Sequence, residues 1–185
     1  HIAFIYAEDL WVADTDGSNV RRLTTARGTE THPVFSPDGK WIAFSAQYDG
    51  NTDVFVVAAD GGVPKRLTWH PGPDAVRGWT VDGKSVVFGS GRINVPRPWT
   101  RLWTVALEGG MPTALPLPTA ENGKFSPDGK RIAFTSNRMG NNDIYVVPTT
   151  GGVPRQVTFH TTGDNVLYWT PDGQRLLFST RRGAN

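Results

Sequence analysis

Four aspartates set the frame for this chain. Asp38, Asp82, Asp128 and Asp172 each occupy a turn of the form Ser/Thr-x-Asp-Gly, and they are spaced 44, 46 and 44 residues apart. The ten residues "FSPDGKWIAF" at 35–44 return at 125–134 as "FSPDGKRIAF", with one residue changed. "WTVDGKSVVF" (79–88) and "WTPDGQRLLF" (169–178) are weaker copies. A fixed period of this size describes an array of one supersecondary unit, stacked several times.

Each unit reads as four strands. In the first full copy, "THPVFS" (31–36) leads through Ser36-Pro37-Asp38-Gly39 into "WIAFSA" (41–46). Pro presets φ for the turn, Asp suits its third position, and Gly supplies the positive φ that ends it. "DVFVVAA" (53–59) is a β-branched and aromatic run of the kind that is buried on both faces. Asp60-Gly61-Gly62 then turns into a short fourth strand, "PKRLT" (64–68). The series recurs as "RLWTVAL" with "PTALP", as "DIYVVP" with "PRQVT", and at the N-terminus as "DLWVAD" with "VRRLT".

Pro64, Pro112 and Pro154 open the fourth strands, where a missing N–H is tolerated only at a free edge. Charge beside them, as in Lys65-Arg66 and Arg155, guards such an edge against pairing with another chain. The fourth strand is therefore the rim of a four-stranded sheet and the first is innermost, with inner strands expected at 32–36, 75–80, 122–126 and 165–170. Such a sheet, apolar on both faces, must be covered on both. Radial stacking around a channel does this, which predicts an all-β fold: a β-propeller of four-stranded antiparallel blades. A β-helix needs shorter repeats, and a helical solenoid needs a 3.6-residue period that is absent. The expected organisation is a single propeller segment over 1–185. It comprises a part-blade at 1–24, whole blades at 32–68, 75–116 and 121–158, and a part-blade at 165–180, about four blades' worth of repeats. In an alternative closure the inner strand at 165–170 completes the N-terminal part-blade.

Composition narrows the function classes. Nineteen Lys and Arg against seventeen Asp and Glu leave a net charge of +2, with the signs interspersed. That is a solvated surface and not the basic stripe of a nucleic-acid binder. The absence of Cys excludes disulfides and thiolate metal sites. No apolar run reaches membrane-span length and no targeting segment stands in this span, so the compartment stays open between cytoplasmic and periplasmic or secreted. The chain opens on His1 without a Met, as expected of a piece of something longer.

The pattern "FSPDGK-x-IAF … D-[IV]-[YF]-VV … GG-x-P-x-[RQ]-[LV]-T" resembles the WD-like propeller repeat of TolB and tricorn-type proteins. The stretch 47–92, preceded by "AEDLWVADTDGSNVRRLT" (7–24), resembles more specifically the N-terminal propeller of tricorn-like serine peptidases. The resemblance covers the whole chain. It implies a propeller that controls entry and exit of peptides, with catalysis in a later Ser-His domain beyond a PDZ-like module, outside this span. The resembled propeller has more blades than this span supplies.

No catalytic constellation is expected within the segment. It has no Gly-x-Ser-x-Gly elbow, the nearest being "FGSGR" (88–92), and no His-Glu-x-x-His, P-loop or dinucleotide fingerprint. Ser36 and Ser126 are turn residues. No cofactor and no metal are called for. Two polar patterns recur. "TWHPGPDAV" (68–76) and "TFHTTGDNV" (158–166) place His70 with Asp74 and His160 with Asp164 in equivalent loops. Glu30 holds the acidic position in the first such loop and Glu121 in the shorter third one. These side chains either cap their loops or form a ring of acids at the channel mouth that attracts cationic groups of a peptide. Asp9, Asp53 and Asp143 precede the third strands as structural ties, and Arg101 breaks that series. There the loop expands to "GRINVPRPWTRL" (91–102), whose Arg92, Arg97 and Trp99 make it the best candidate for a specific contact, either with a ligand or with a neighbouring domain.

Three functions fit these residues: a gating or docking propeller segment of a tricorn-like serine peptidase, a TolB-like protein-binding propeller with no enzyme attached, or the propeller of a prolyl-oligopeptidase-like hydrolase. Expected partners are peptides or proteins, downstream domains of the same chain, and a second copy through open blade edges formed by Ile2, Phe4, Tyr6, Leu176, Leu177 and Phe178. Nucleic acid and a membrane span are not expected.

Overall fold

A computed structural model describes residues 1–92, 100–117 and 120–181. All of its regular structure is β. The first sheet has three strands, β1 (Ile2–Tyr6), β2 (Asp9–Ala13) and β3 (Arg21–Arg22). The second runs β4 (Glu30–Phe35), β5 (Trp41–Ala46), β6 (Asp53–Ala58) and β7 (Lys65–Arg66), in that spatial order. The third is β8 (Asp74–Trp79), β9 (Ser85–Ser90), β10 (Arg101–Ala106) and β11 (Thr113–Ala114). The fourth is β12 (Glu121–Phe125), β13 (Arg131–Ser136), β14 (Asp143–Pro148) and β15 (Arg155–Gln156). A final pair holds β16 (Asp164–Trp169) and β17 (Leu176–Thr180). We call these sheets blades A to E.

Blades B, C and D are antiparallel meanders with the last short strand outermost, as the prolines require. Two boundaries differ from expectation. The rim strands have two residues instead of five, because Pro64, Pro112 and Pro154 donate nothing and the chain leaves the ladder at once. The inner strands begin one or two residues earlier, where Glu30, Asp74 and Asp164 tie back to the preceding blade. Among the described residues the alternative closure is not formed: β16 pairs with β17 and β1 with β2, and no ladder joins the two sheets.

The turn that defines the repeat is a local clamp. Ser36 Oγ donates to Asp38 Oδ1 (2.6 Å), the Lys40 N–H reaches the same oxygen (3.1 Å), and the Trp41 N–H donates to Ser36 Oγ (2.9 Å). Thr80 and Asp82, Ser126 and Asp128, and Thr170 and Asp172 repeat the arrangement. In all four the hydroxyl donor holds the carboxyl below its ordinary range.

Blades pack face to face through apolar layers. Ile42, Phe44, Phe55 and Val57 of blade B meet Leu10 and Val12 of blade A. Ala43, Val54 and Val56, on its other face, meet Val76, Trp79, Val86 and Phe88 of blade C. Blades C and D share Leu102, Leu117, Ile132 and Phe134, and D and E share Ala133, Ile144, Val166 and Trp169. A central strand therefore buries both of its faces, which explains the near-continuous apolar runs. The end sheets have one packed face each, and Ile2, Tyr6 and Leu177 stand exposed there.

Candidate functional site at the inner strands and their seams

Three polar seams join the blades beside the inner strands. Between A and B, Arg22 pairs with Asp9 (2.6 Å), and Thr24 Oγ1 accepts from the Leu10 N–H (2.9 Å) while donating to Glu30 (2.7 Å). The Tyr48 hydroxyl closes the far side of Glu30. Between B and C the same parts recur: Arg66 with Asp53 (2.6 Å), Thr68 with Asp53 (3.1 Å) and the Val54 N–H (3.0 Å), and Arg92 with Asp74 (2.5 Å). Between D and E, Gln156 replaces the arginine on Asp143 (3.0 Å), and Thr158 bonds Asp143 (3.3 Å) and the Ile144 N–H (3.0 Å). Asp164 is fully buried in the same position.

The carboxylates of Glu30, Asp74 and Asp164 thus do not form an open ring. All three have 0% exposure and face the seams. Burial raises the Glu30 carboxyl above its usual range, against the Tyr48 and Thr24 hydroxyls that hold it down. Burial likewise raises Asp74, opposed by Ser90, Arg92 and Thr68. The histidines are not brought onto these acids. His70 Nδ1 lies 2.9 Å from the Gly72 N–H and His160 Nδ1 lies 3.1 Å from the Thr162 N–H, so each ring closes its own loop. Asn51 and Asn141 brace the two loops by donating to the His70 and His160 carbonyls (2.6 and 2.7 Å). Arg92 stacks on Phe88 and Trp103 at 5.1 and 5.0 Å. Its pairing with Asp74 joins two residues that the sequence singled out for separate reasons. Arg97 and Trp99 lie outside the described residues. No cluster of metal-ligating side chains exists among those described.

What the inner strands do present is a cavity of about 430 Å³ spanning four blades. Aromatic rings of Phe35, Trp79, Phe125, Tyr168 and Trp169 line it, together with Arg77 and Lys124. Inter-blade hydrogen bonds fix its wall. Trp79 Nε1 donates to the Val34 carbonyl (3.0 Å), Lys124 Nζ to Arg77 (2.6 Å), and Trp169 Nε1 to Lys124 (3.0 Å). Desolvation lowers the pKa of both Arg77 and Lys124, and their mutual repulsion adds to the shift of Lys124. Glu121, partly exposed, offsets the shift of Arg77 by its charge. Tyr168 (56% exposed) is the ring most open to solvent. Sequence reasoning missed Arg77, Lys124 and Tyr168. They interrupt inner-strand apolar runs, which was the signal available.

Comparison with known proteins places this geometry. The chain matches the family described as the tricorn protease N-terminal beta propeller domain over residues 1–125 and 119–185. It is 37% identical over 117 residues to tricorn protease homolog 1 of Streptomyces coelicolor, covering 62% of this chain and 11% of that protein. A putative TolB from Agrobacterium tumefaciens superposes with a TM-score of 0.80 at 23% identity, covering 96% of this chain and 65% of that one. The tricorn protease itself gives 0.61 at 20% identity, over 96% and 23%. At these identities the two structures speak for the fold. The chain spans less than half the length of each of four curated relatives it matches, between 8% and 48%.

Proposed function

This chain belongs to the family of tricorn protease N-terminal β-propeller domains, and from that premise we propose that it gates or docks peptides and protein partners as a non-catalytic segment of a tricorn-like serine peptidase. The peptidase domain it serves lies outside this span. The observation that carries this reading is the cavity on the inner strands: aromatic walls, two cations with lowered pKa values, and backbone locked by inter-blade hydrogen bonds. A concave, mainly apolar surface with a few fixed polar groups is what a bound chain segment needs. Among the described residues no helix is long and apolar enough to cross a membrane. The exposed Trp69, with the half-buried His70 beside it, supplies a second contact surface for protein partners.

The test uses the full protein and a fluorescently labelled peptide substrate. Tyr168→Ala and Lys124→Ala, read by anisotropy, are expected to weaken peptide binding several-fold. Unchanged binding in both variants would overturn the assignment of this cavity. The reading frame beyond Asn185 separates the peptidase reading from a TolB-like binding propeller: a Ser/His peptidase domain supports the first, an immediate stop the second.

A further inference from the structure

The seam between blades C and D lacks both acids, the threonine and the Arg or Gln that close the other three. Arg101 stands where Asp9, Asp53 and Asp143 stand, Ala114 replaces the Arg or Gln, Pro116 the Thr, and Ala120 the acid. The backbone register is unchanged. The Ala120 N–H donates to the Thr100 carbonyl (3.1 Å), as Asp74 does to Thr52 (2.8 Å) and Asp164 to Asn142 (2.7 Å). Ala120 therefore occupies the position of the buried acid with a methyl group in place of a carboxylate.

The partners of that missing carboxylate are still present. Arg138 repeats the pose of Arg92: its Nε lies 3.3 Å from Ser136 Oγ, and its guanidinium stacks on Phe134 (5.3 Å) and Tyr145 (4.3 Å). Arg92 Nη2 donates to Asp74, whereas Arg138 makes no ion pair among the described residues. Arg101 Nε and the Tyr145 hydroxyl are buried without a hydrogen-bond partner. A buried donor left unmade is costly, and more so when it is charged. No other acid of the chain fills the gap. Residues 93–99 and 118–119 contain no Asp or Glu, and Glu121, one residue on, directs its charge to Arg77.

We propose that this seam binds a small carboxylate, of acetate or formate size, in the place the Asp74 carboxylate holds one blade earlier, with Arg138, Arg101 and the Tyr145 hydroxyl as donors. Arg138 is solvent-exposed at the rim and provides the entry, while Ala120 and Tyr145, at 2% and 3% exposure, form the closed end. Asp exceeds Ala by one carboxylate group, so a formate ion replaces what the repeat has lost here and acetate adds one methyl. The inference is independent of whether the channel cavity takes peptides.

The experiment follows the thermal unfolding of the full chain in rising sodium acetate, with chloride exchanged to hold ionic strength constant. A saturable rise in the midpoint is expected. Ala120→Asp should raise the midpoint without acetate and abolish the acetate response, because the carboxylate is then covalent. Arg138→Met, at an exposed position, should weaken the apparent acetate affinity at least about tenfold, the loss of one charge-assisted hydrogen bond. Absence of a saturable response, or a response that survives both substitutions, overturns the proposal. Inorganic phosphate is the discriminating arm. An equal phosphate response, lost in the same variants, would overturn the assignment to a carboxylate.

Discussion

The seam between blades B and C and the seam between C and D are built on the same backbone register and closed by opposite means. In the first, Arg66 and Thr68 hold Asp53 on blade B and Arg92 holds Asp74 on blade C. The Ser45 hydroxyl adds a bond from the Val76 N–H (2.8 Å), and Thr135 does the same for Val166 between D and E (3.1 Å). In the second, Gly89 stands in place of that hydroxyl. The Arg77 side chain lies within 3.6 Å of where a Gly89 Cβ would be, and Gly123 packs so tightly on Leu102 that an added Cβ would sit 2.0 Å from its Cδ1. One seam is held by paired charges and hydroxyls and the other by close apolar contact around buried donors without partners. Strand geometry therefore leaves the chemistry of a blade junction free, provided that it changes as a set.

The largest expected effect comes from removing a polar member. Asp74→Ala leaves Arg92, with 13% side-chain exposure, without its acid, and should cost about 3 kcal/mol in denaturant unfolding of the full chain. A loss as small as that of a surface substitution would mean that the B–C seam tolerates what the C–D seam shows. The mirror experiment on the apolar seam is Gly123→Ala, where overpacking against Leu102 should cost about 2 kcal/mol. The same substitution at Gly50, which has open space around its Cβ, separates packing from left-handed strain, since its φ is +82° and that of Gly123 is not positive. Thr158→Val should cost about 1 kcal/mol, because the Ile144 N–H and Asp143 lose one shared hydroxyl.

The smallest effect distinguishes seams from turns by pH. Glu30 and Asp74 carry raised pKa values. Their contribution is present in full below the unfolded carboxylate value of about 4 and is lost as pH rises through the folded one. The turn aspartates Asp38, Asp82, Asp128 and Asp172 are lowered, so their contribution holds above about pH 4 and fades as pH falls through their folded values. Thermal midpoints should rise modestly from pH 7 towards 5 and fall below 4. Glu30→Gln should flatten the first limb and leave the second. A first limb unchanged by that substitution would place the titration elsewhere.

The blade order, the inner hairpins and the rim prolines were legible because each depends on neighbours within one repeat. A turn needs Asp and Gly at fixed offsets, and an edge needs Pro. The seams were not legible, because spacing does not tell which way a side chain points. Asp74 and Arg92 were both singled out, yet as a channel-mouth acid and a loop cation. The fold turns them onto each other through the short β8–β9 hairpin. Glu121 is the acid that the shorter third loop offers in sequence, whereas the residue five before Phe125 is Ala120. Alternation along a strand makes one residue the difference between facing the seam and facing away. Arg77 and Lys124 escaped notice because their significance lies in a neighbour about forty-seven positions away.

The Ser/Thr-x-Asp-Gly clamp also orders events in time. Its hydrogen bonds close over two to five residues, so each inner hairpin can form alone on the microsecond scale of such elements, about 1–10 μs. The longer seam bonds join residues 14 to 45 positions apart and must wait for whole blades. Four equivalent clamps give the chain four equivalent starting points. Assembly then spreads between neighbours as in a one-dimensional array, and the apolar C–D junction, which requires no polar network to be completed, is the place where two such growing units can dock first.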